Sequence, residues 1–291
     1  MDIHVANQTE YNELKELWCE VFGDEPSLVD KFYELTNAIG YVCVENDSVV
    51  SCLSLYEVGV FDNRKVFASY AVCTSPTERG KGYASALVEH VRKAVTAQGS
   101  ISIVCPADCS LVDYYSQLGY SSIFYAKEQT VPAENDIFIN LKTVSSEEYN
   151  HYRELFLANE SHIVVNHGAL EYARFASANE QGLVLVNDGD AICIIDDGDE
   201  DELSISELIV NPALSQLSSE ISFQLAAGIA ELFESQAAIF HEPTFIVYTD
   251  ISGDYYSNGS YAQAMAAFPN DICEEISSEG YNLPYYGLPV K

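Results

Sequence analysis

Residues 79 to 84 read Arg-Gly-Lys-Gly-Tyr-Ala, two cations interleaved with two glycines in a chain that sets 45 acids against 13 Lys and Arg. A β-rich run, Val66 to Thr74, feeds this segment through Ser75-Pro76, and an amphipathic stretch over 83–98 leaves it. That order suits an anionic ligand. The first-turn amides of a helix have no intrahelical acceptor, and the helix dipole adds partial positive charge at the same end. Gly80 and Gly82 let the main chain approach phosphate oxygens with no Cβ in the way, while Arg79 and Lys81 add fixed charge. The spacing sets aside two nucleotide loops. Gly-x-x-x-x-Gly-Lys-[Ser/Thr] is absent, since one residue separates the glycines and no hydroxyl follows the lysine. Gly-x-Gly-x-x-Gly fails at Ser85. The alternative is a plain helix start preceded by a flexible glycine turn.

A second segment could supply a proton. Ser110-Leu-Val-Asp-Tyr-Tyr-Ser-Gln-Leu-Gly119-Tyr120 has the pattern of a helix stopped by a C-cap glycine, with a tyrosine pair at 114 and 115. A phenol is neutral at working pH and can donate to a sulfur that gains negative charge. With 20 tyrosines in the chain, Tyr115 means little alone, and an aromatic pair packing a helix onto a sheet is the alternative. Its spacing from the glycine loop gives it weight.

Together the two segments resemble the GNAT superfamily of N-acetyltransferases. The family loop is [Gln/Arg]-x-x-Gly-x-[Gly/Ala]; here the frame is Thr77-Glu78-Arg79-Gly80-Lys81-Gly82, departing at Thr77. The family helix is Ala-x-x-[Leu/Phe]-Tyr-x-x-x-Gly-[Phe/Tyr], matched by the segment ending at Gly119-Tyr120. The resemblance implies acetyl-CoA as cosubstrate and no metal. Its diphosphate would lie on the amides of Arg79, Gly80, Lys81, Gly82, Tyr83 and Ala84. Its pantetheine would lie between two splayed strands, bonded to backbone at Val72, Cys73 and Thr74. Tyr115 falls on the position that protonates the departing thiolate. Where the family often has asparagine, seven residues earlier, stands Asp108. A small-molecule or peptide amine would attack the thioester directly in a ternary complex, with an N–H of Val72 or Cys73 meeting the oxyanion. Glu57 is the first candidate for the base and Asp108 the second, with a solvated carboxylate the alternative for each. Two other readings stay open: a non-catalytic acyl-CoA sensor, and a transferase using another acyl donor.

The elements that would position these residues follow from periodicity and turn signals. Ile3–Ala6 is a strand. Leu14, Leu17, Trp18, Val21 and Phe22 recur at helical spacing behind Thr9 as N-cap, and Pro26 starts a second helix to about Thr36. Strands over 41–45 and 49–60 meet at Asn46-Asp47, and Asp62-Asn63 turns into the strand 65–74. Strand 101–105, helix 109–118 and strands near 120–128 and 136–142 complete the order that the resemblance requires.

The second half echoes the first. Gly40-Tyr-Val-Cys-Val-Glu-Asn-Asp matches Gly182-Leu-Val-Leu-Val-Asn-Asp-Gly, and Gly119-Tyr-Ser-Ser-Ile-Phe-Tyr matches Gly280-Tyr-Asn-Leu-Pro-Tyr-Tyr. Leu203–Val210 and Ser219–Phe233 give a strand and a helix in matching order. The segment Asn211-Pro-Ala-Leu-Ser215 has neither glycine pair nor cation. The expectation is an α/β fold with a mixed sheet, built as two tandem GNAT-like domains: a catalytic domain over 1–140 and a degenerate copy over 141–291. The layout resembles the Eis-like group without its sterol-carrier-like domain. That group uses its C-terminal carboxylate, so Lys291 joins the base candidates.

Composition sets the remaining bounds. A net charge of −32 disfavours nucleic acid and anionic membranes, and either draws a cationic amine or only keeps the protein soluble. No stretch approaches the roughly 18 to 20 apolar residues of a membrane span, and the N-terminus has no basic-then-apolar leader. Eight cysteines without a Cys-x-x-Cys pair fit reduced core thiols in a cytoplasmic protein. The acidic run Asp196–Glu202 lacks calcium-loop spacing and suits a solvated hairpin tip. His162 and His167 fit a loop between domains as well as they fit catalysis. A homodimer is a further expectation.

Overall fold

Asn7 opens the first helix, α1 (Gln8–Phe22), by a reciprocal cap. Its side chain accepts from Thr9 and Glu10 N–H, and Glu10 accepts from the Asn7 N–H at 2.9 Å. The cap is therefore Asn7 rather than Thr9, because only Asn7 leaves Glu10 at the third helical position that completes the box. Gly23, at φ 78°, ends the helix. Pro26, without an N–H to lose, starts α2 (Pro26–Thr36). The computed structural model describes residues 1–108, 110–134, 138–177, 182–196, 201–215, 220–243 and 260–269. These fall into two compact units. The first holds 1–123 and, later in the chain, 264–269; the second holds 124–243 and 260–263.

In the first unit, β1 (Asp2–Val5), β2 (Ile39–Glu45), β3 (Ser48–Phe61) and β4 (Arg64–Thr74) pair antiparallel in order. Two hairpin turns, Asn46-Asp47 and Asp62-Asn63, have positive φ at both central residues, the geometry that matches strand twist. Then come α3 (Tyr83–Ala97), β5 (Ile101–Val104), parallel to β4, and α4 (Ser110–Gln117). One sheet face packs Leu53, Leu55 and Val104 against Leu87, Val88 and Val91 of α3 and Tyr115 of α4. Tyr56 and Tyr70 face the other way, onto Trp18 and Phe32 of α1 and α2.

The second unit repeats this order. It runs β6 (Ser121–Pro132), β7 (Leu141–Thr143), α5 (Ser146–Phe156), β8 (Val164–Val165), α6 (His167–Ala176), β9 (Leu183–Val186) and β10 (Ala191–Asp196). There follow β11 (Glu202–Val210), the short α7 (Pro212–Ser215), α8 (Ile221–Leu232) and β12 (Ala237–Pro243). As with β4 and β5, β11 and β12 are a parallel pair within an otherwise antiparallel sheet, β6-β12-β11-β10-β9-β7. Leu225, Ala226, Ile229 and Ala230 of α8 cover it.

The units do not divide at residue 140. β6 pairs along β12, from Ala237↔Pro132 to Pro243↔Ala126, while β13 (Ser260–Ala267) lies antiparallel to β5 through Met265↔Val104. A strand edge accepts one partner, and β13 takes the β5 edge that sequence order would give to β6. Likewise the strand expected over 136–142 is, among the described residues, only Leu141–Thr143. It pairs with β9 as an outer strand of the second unit. The Gly280 echo, Lys291 and residues 197–200 of the acidic run lie outside the described residues.

Candidate functional site

The site begins where two parallel strands stop pairing. β4 and β5 run in register from Val66↔Ile101 to Ser69↔Val104, yet β4 continues to Thr74. At that point β4 gains a residue against β3, the register moving from Ser54↔Tyr70 to Cys52↔Cys73. Ala71 absorbs the bulge at φ 50°. A left-handed alanine costs on the order of 1–3 kcal/mol, and such strain persists only where surrounding structure holds it. Here β3 holds it. Ser51 Oγ donates to Cys73 O at 2.7 Å and meets Thr74 Oγ1 at 2.9 Å. The bulge turns β4 away from β5, so among the described residues the β5-facing backbone of Val72, Cys73 and Thr74 has no strand partner. Nothing in the sequence marks Ala71 for this role.

The glycine loop follows directly. Gly80 and Gly82 have φ of 78° and 83°, and a Cβ built on either meets no protein atom within 4 Å. The glycines are thus required by backbone conformation, and the space beside them is open. Gly82 is the N-cap of α3, with no side chain capping the helix, and Ala86 N–H reaches back to Gly82 O at 3.0 Å. The amides of Tyr83, Ala84 and Ser85 therefore present donors with no side-chain acceptor. Arg79 reaches only the Thr74 carbonyl, at 3.4 Å. Lys81 is held by Glu78 at 2.8 Å, and that hydrogen bond raises the ammonium pKa. A diphosphate fits this cradle: open glycines, uncapped amides and two adjacent cations.

α4 brings Tyr115 to the same face. Tyr114 Oη lies 3.1 Å from Ser85 Oγ, tying α4 to the first turn of α3. Tyr115 is 7% exposed, and its ring stands edge-on to Tyr114 and Tyr120 at 5.0 and 6.1 Å. Burial, with smaller contributions from Tyr114, Tyr120 and Cys105, pushes its phenol pKa well up. Its hydroxyl makes no hydrogen bond among the described residues, so it is a neutral donor free to take an acceptor.

The two carboxylate candidates each have partners of their own. Glu57 pairs opposite Phe67, where β4 is still bonded to β5, roughly 13 Å of strand from Ala71 at the usual rise. Lys65 Nζ holds it at 2.7 Å. Asp108 accepts from the hydroxyl and amide of Ser110, which together depress its carboxyl pKa; it caps the start of α4. His162 bonds Glu154 and the Glu160 carbonyl, and His167 pairs loosely with Glu147 at 3.5 Å. Among the described residues there is no group of His, Cys, Asp and Glu able to hold a metal, and no helix long and apolar enough to cross a membrane.

The second unit repeats the parting strands without the cradle. β11 and β12 pair from Glu202↔Ala237 to Ile205↔Phe240, and β11 runs on to Val210 past an extra residue between Ile205 and Glu207. Glu220 stands at the N-cap of α8, where α3 has Gly82. Glu207 is fully buried and bonded to Tyr149 Oη at 2.8 Å and Arg153 Nε at 3.3 Å.

Residues 2–123 match the family model of an acetyltransferase (GNAT) domain. No curated protein matches the sequence. Among solved structures, a conserved protein of unknown function from Enterococcus faecalis superposes with a TM-score of 0.62 at 16% identity, covering 91% of this chain and 72% of that one. A GCN5-related N-acetyltransferase from Anabaena variabilis gives 0.63 at 13% identity over the same shares. Eis1 from Mycobacterium abscessus gives 0.58 at 13% identity, over 93% of this chain and 74% of that one. These likenesses span both units and establish the fold.

Proposed function

We propose, from the premise that residues 2–123 are a GNAT acetyltransferase domain, that this protein moves an acetyl group from acetyl-CoA to an amine. The observation that carries the reading is the conjunction of a bulged, parting β4 with an uncapped glycine start to α3. The amides of residues 79–84, with Arg79 and Lys81, hold the donor's diphosphate; the freed edge of Val72, Cys73 and Thr74 holds its pantetheine. A backbone N–H at Val72 or Cys73 stabilises negative charge on the thioester oxygen, a contribution of about 3–4 kcal/mol for one such donor. The amine nitrogen forms its bond to the carbonyl carbon and the carbon–sulfur bond breaks. Tyr115 gives its proton to the departing sulfur, and the proton lost by the amine passes through water to restore the phenol. Glu57 serves, if at all, as the distant end of that water chain, because Lys65 already holds it. Lys291 and Asp108 carry less support.

The second unit binds no donor in this reading, since a glutamate occupies its helix start. It acts as a partner domain, and acceptor choice rests on residues that vary around the common fold. The acceptor class is a small-molecule or peptide amine. The test is thiol release from acetyl-CoA across polyamines, aminoglycosides and lysine peptides, using wild type and Tyr115→Phe. The account expects turnover that drops on the order of 100-fold in Tyr115→Phe with CoA affinity unchanged. Wild-type turnover untouched by the substitution contradicts the assigned acid.

A further inference from the structure

Ser69 is the last residue of β4 paired with β5, so it stands at the foot of the cleft. Tyr70 points to the α1–α2 face, and strand alternation therefore puts Ser69 on the α3–α4 face, beside Tyr120. Ser69 is 5% exposed, and its hydroxyl interacts with the Tyr120 phenol. Beside it, fully buried Ser102 meets Tyr120 Oη at 3.0 Å, and Tyr120 is 2% exposed. Tyr120 stacks edge-on against Tyr115. Three hydroxyls thus gather where the apolar acyl end of a donor would stop, in a wall otherwise built from Leu53, Leu55 and Val104.

Given the donor reading above, we infer that Ser69, Ser102 and Tyr120 form a polar floor that restricts this site to short acyl groups. An acetyl group ends above the floor and leaves the contacts among Ser69, Ser102 and Tyr120 intact. A butyryl or hexanoyl chain must press methylenes onto three hydroxyls and part them, with no acceptor in return. Ser69 and Tyr120 are then specificity-determining residues, distinct from the acid Tyr115.

The test needs no acceptor. Calorimetric affinities are measured for free CoA, acetyl-, butyryl- and hexanoyl-CoA with wild type, Ser69→Ala and Ser69→Ala/Tyr120→Phe. The inference expects wild type to bind acetyl-CoA at least ~10-fold more tightly than butyryl-CoA. Ser69→Ala should close most of that gap while acetyl-CoA affinity and the melting temperature stay within error. The double variant Ser69→Ala/Tyr120→Phe should extend tolerance to hexanoyl-CoA. A flat chain-length profile in wild type, or a gap unchanged in both variants, overturns the polar floor while leaving the donor reading intact. Absence of binding by every CoA form, including free CoA, overturns both.

Discussion

Replacing Gly82 with alanine separates backbone strain from ligand contact, because the molecule contains its own control. Gly82 and Gly23 have nearly equal φ, 83° and 78°, and a Cβ on either meets no protein atom within 4 Å. Each Gly→Ala change therefore carries only the cost of a left-handed alanine, about 1–2 kcal/mol, with no clash added. That corresponds to a fall of roughly 2–8 °C in melting temperature for either variant. They differ in what lies outside the protein. Gly23 closes α1 by bonding Cys19 O at 2.9 Å, away from the loop. Gly82 opens α3, and its new methyl would enter the space assigned to the diphosphate. Titration calorimetry with CoA should give Gly23→Ala the wild-type affinity and Gly82→Ala a loss of ~10- to 100-fold, since phosphate contact depends on unobstructed amides. Equal CoA affinity in the two variants would refute the reasoning, whatever their melting temperatures.

Three further outcomes follow from the same geometry. Glu78→Gln frees Lys81 from its ion pair and should tighten CoA binding by about two- to fivefold, an exposed-pair effect that shrinks as salt rises; weaker binding would contradict the competition. Burial raises the phenol pKa values of Tyr33 and Tyr115, and pushes that of Tyr120 up to about 12, above the ordinary phenol value of about 10. Their stabilisation is full below pH 10 and is lost above it, as the unfolded chain releases protons that the folded state retains. Melting temperature should thus fall as pH rises past about 10, and a rise there would contradict the assignment. Arg153→Ala leaves Glu207 buried beside Tyr149 without its cation; such a break costs about 3–5 kcal/mol, and thermal melting with no measurable loss would show that the pair is dispensable.

Legibility in the sequence tracks whether a residue's chemistry announces its backbone. Gly80 and Gly82 sit in left-handed conformations that glycine favours, and Asn46-Asp47 and Asp62-Asn63 are hairpin residues by type, so the loop and both turns are readable. Ala71 adopts the same left-handed region with no such signature. Its bulge depends on β3 pairing, which local sequence does not encode. The place of Tyr115 on α4 is readable from spacing, whereas that of Ser69 becomes visible only once registry puts it at the last β4–β5 pair. Glu57 shows what local sequence leaves out. Strand order places it near the cleft in sequence, but register sets it opposite Phe67 and gives it to Lys65. The domain boundary fails for a topological reason: β13, far along the chain, takes the edge of β5 that nearer residues would be expected to occupy.

The most direct measurement is the stoichiometry of CoA binding to the whole chain. Among the described residues there are two parting strand pairs but one glycine cradle, so titration calorimetry should find one CoA per chain in wild type and a strongly weakened site in Arg79→Ala/Lys81→Ala. Two CoA per chain, or a single site indifferent to the loss of Arg79 and Lys81, would contradict the assignment of residues 79–84 as the diphosphate site.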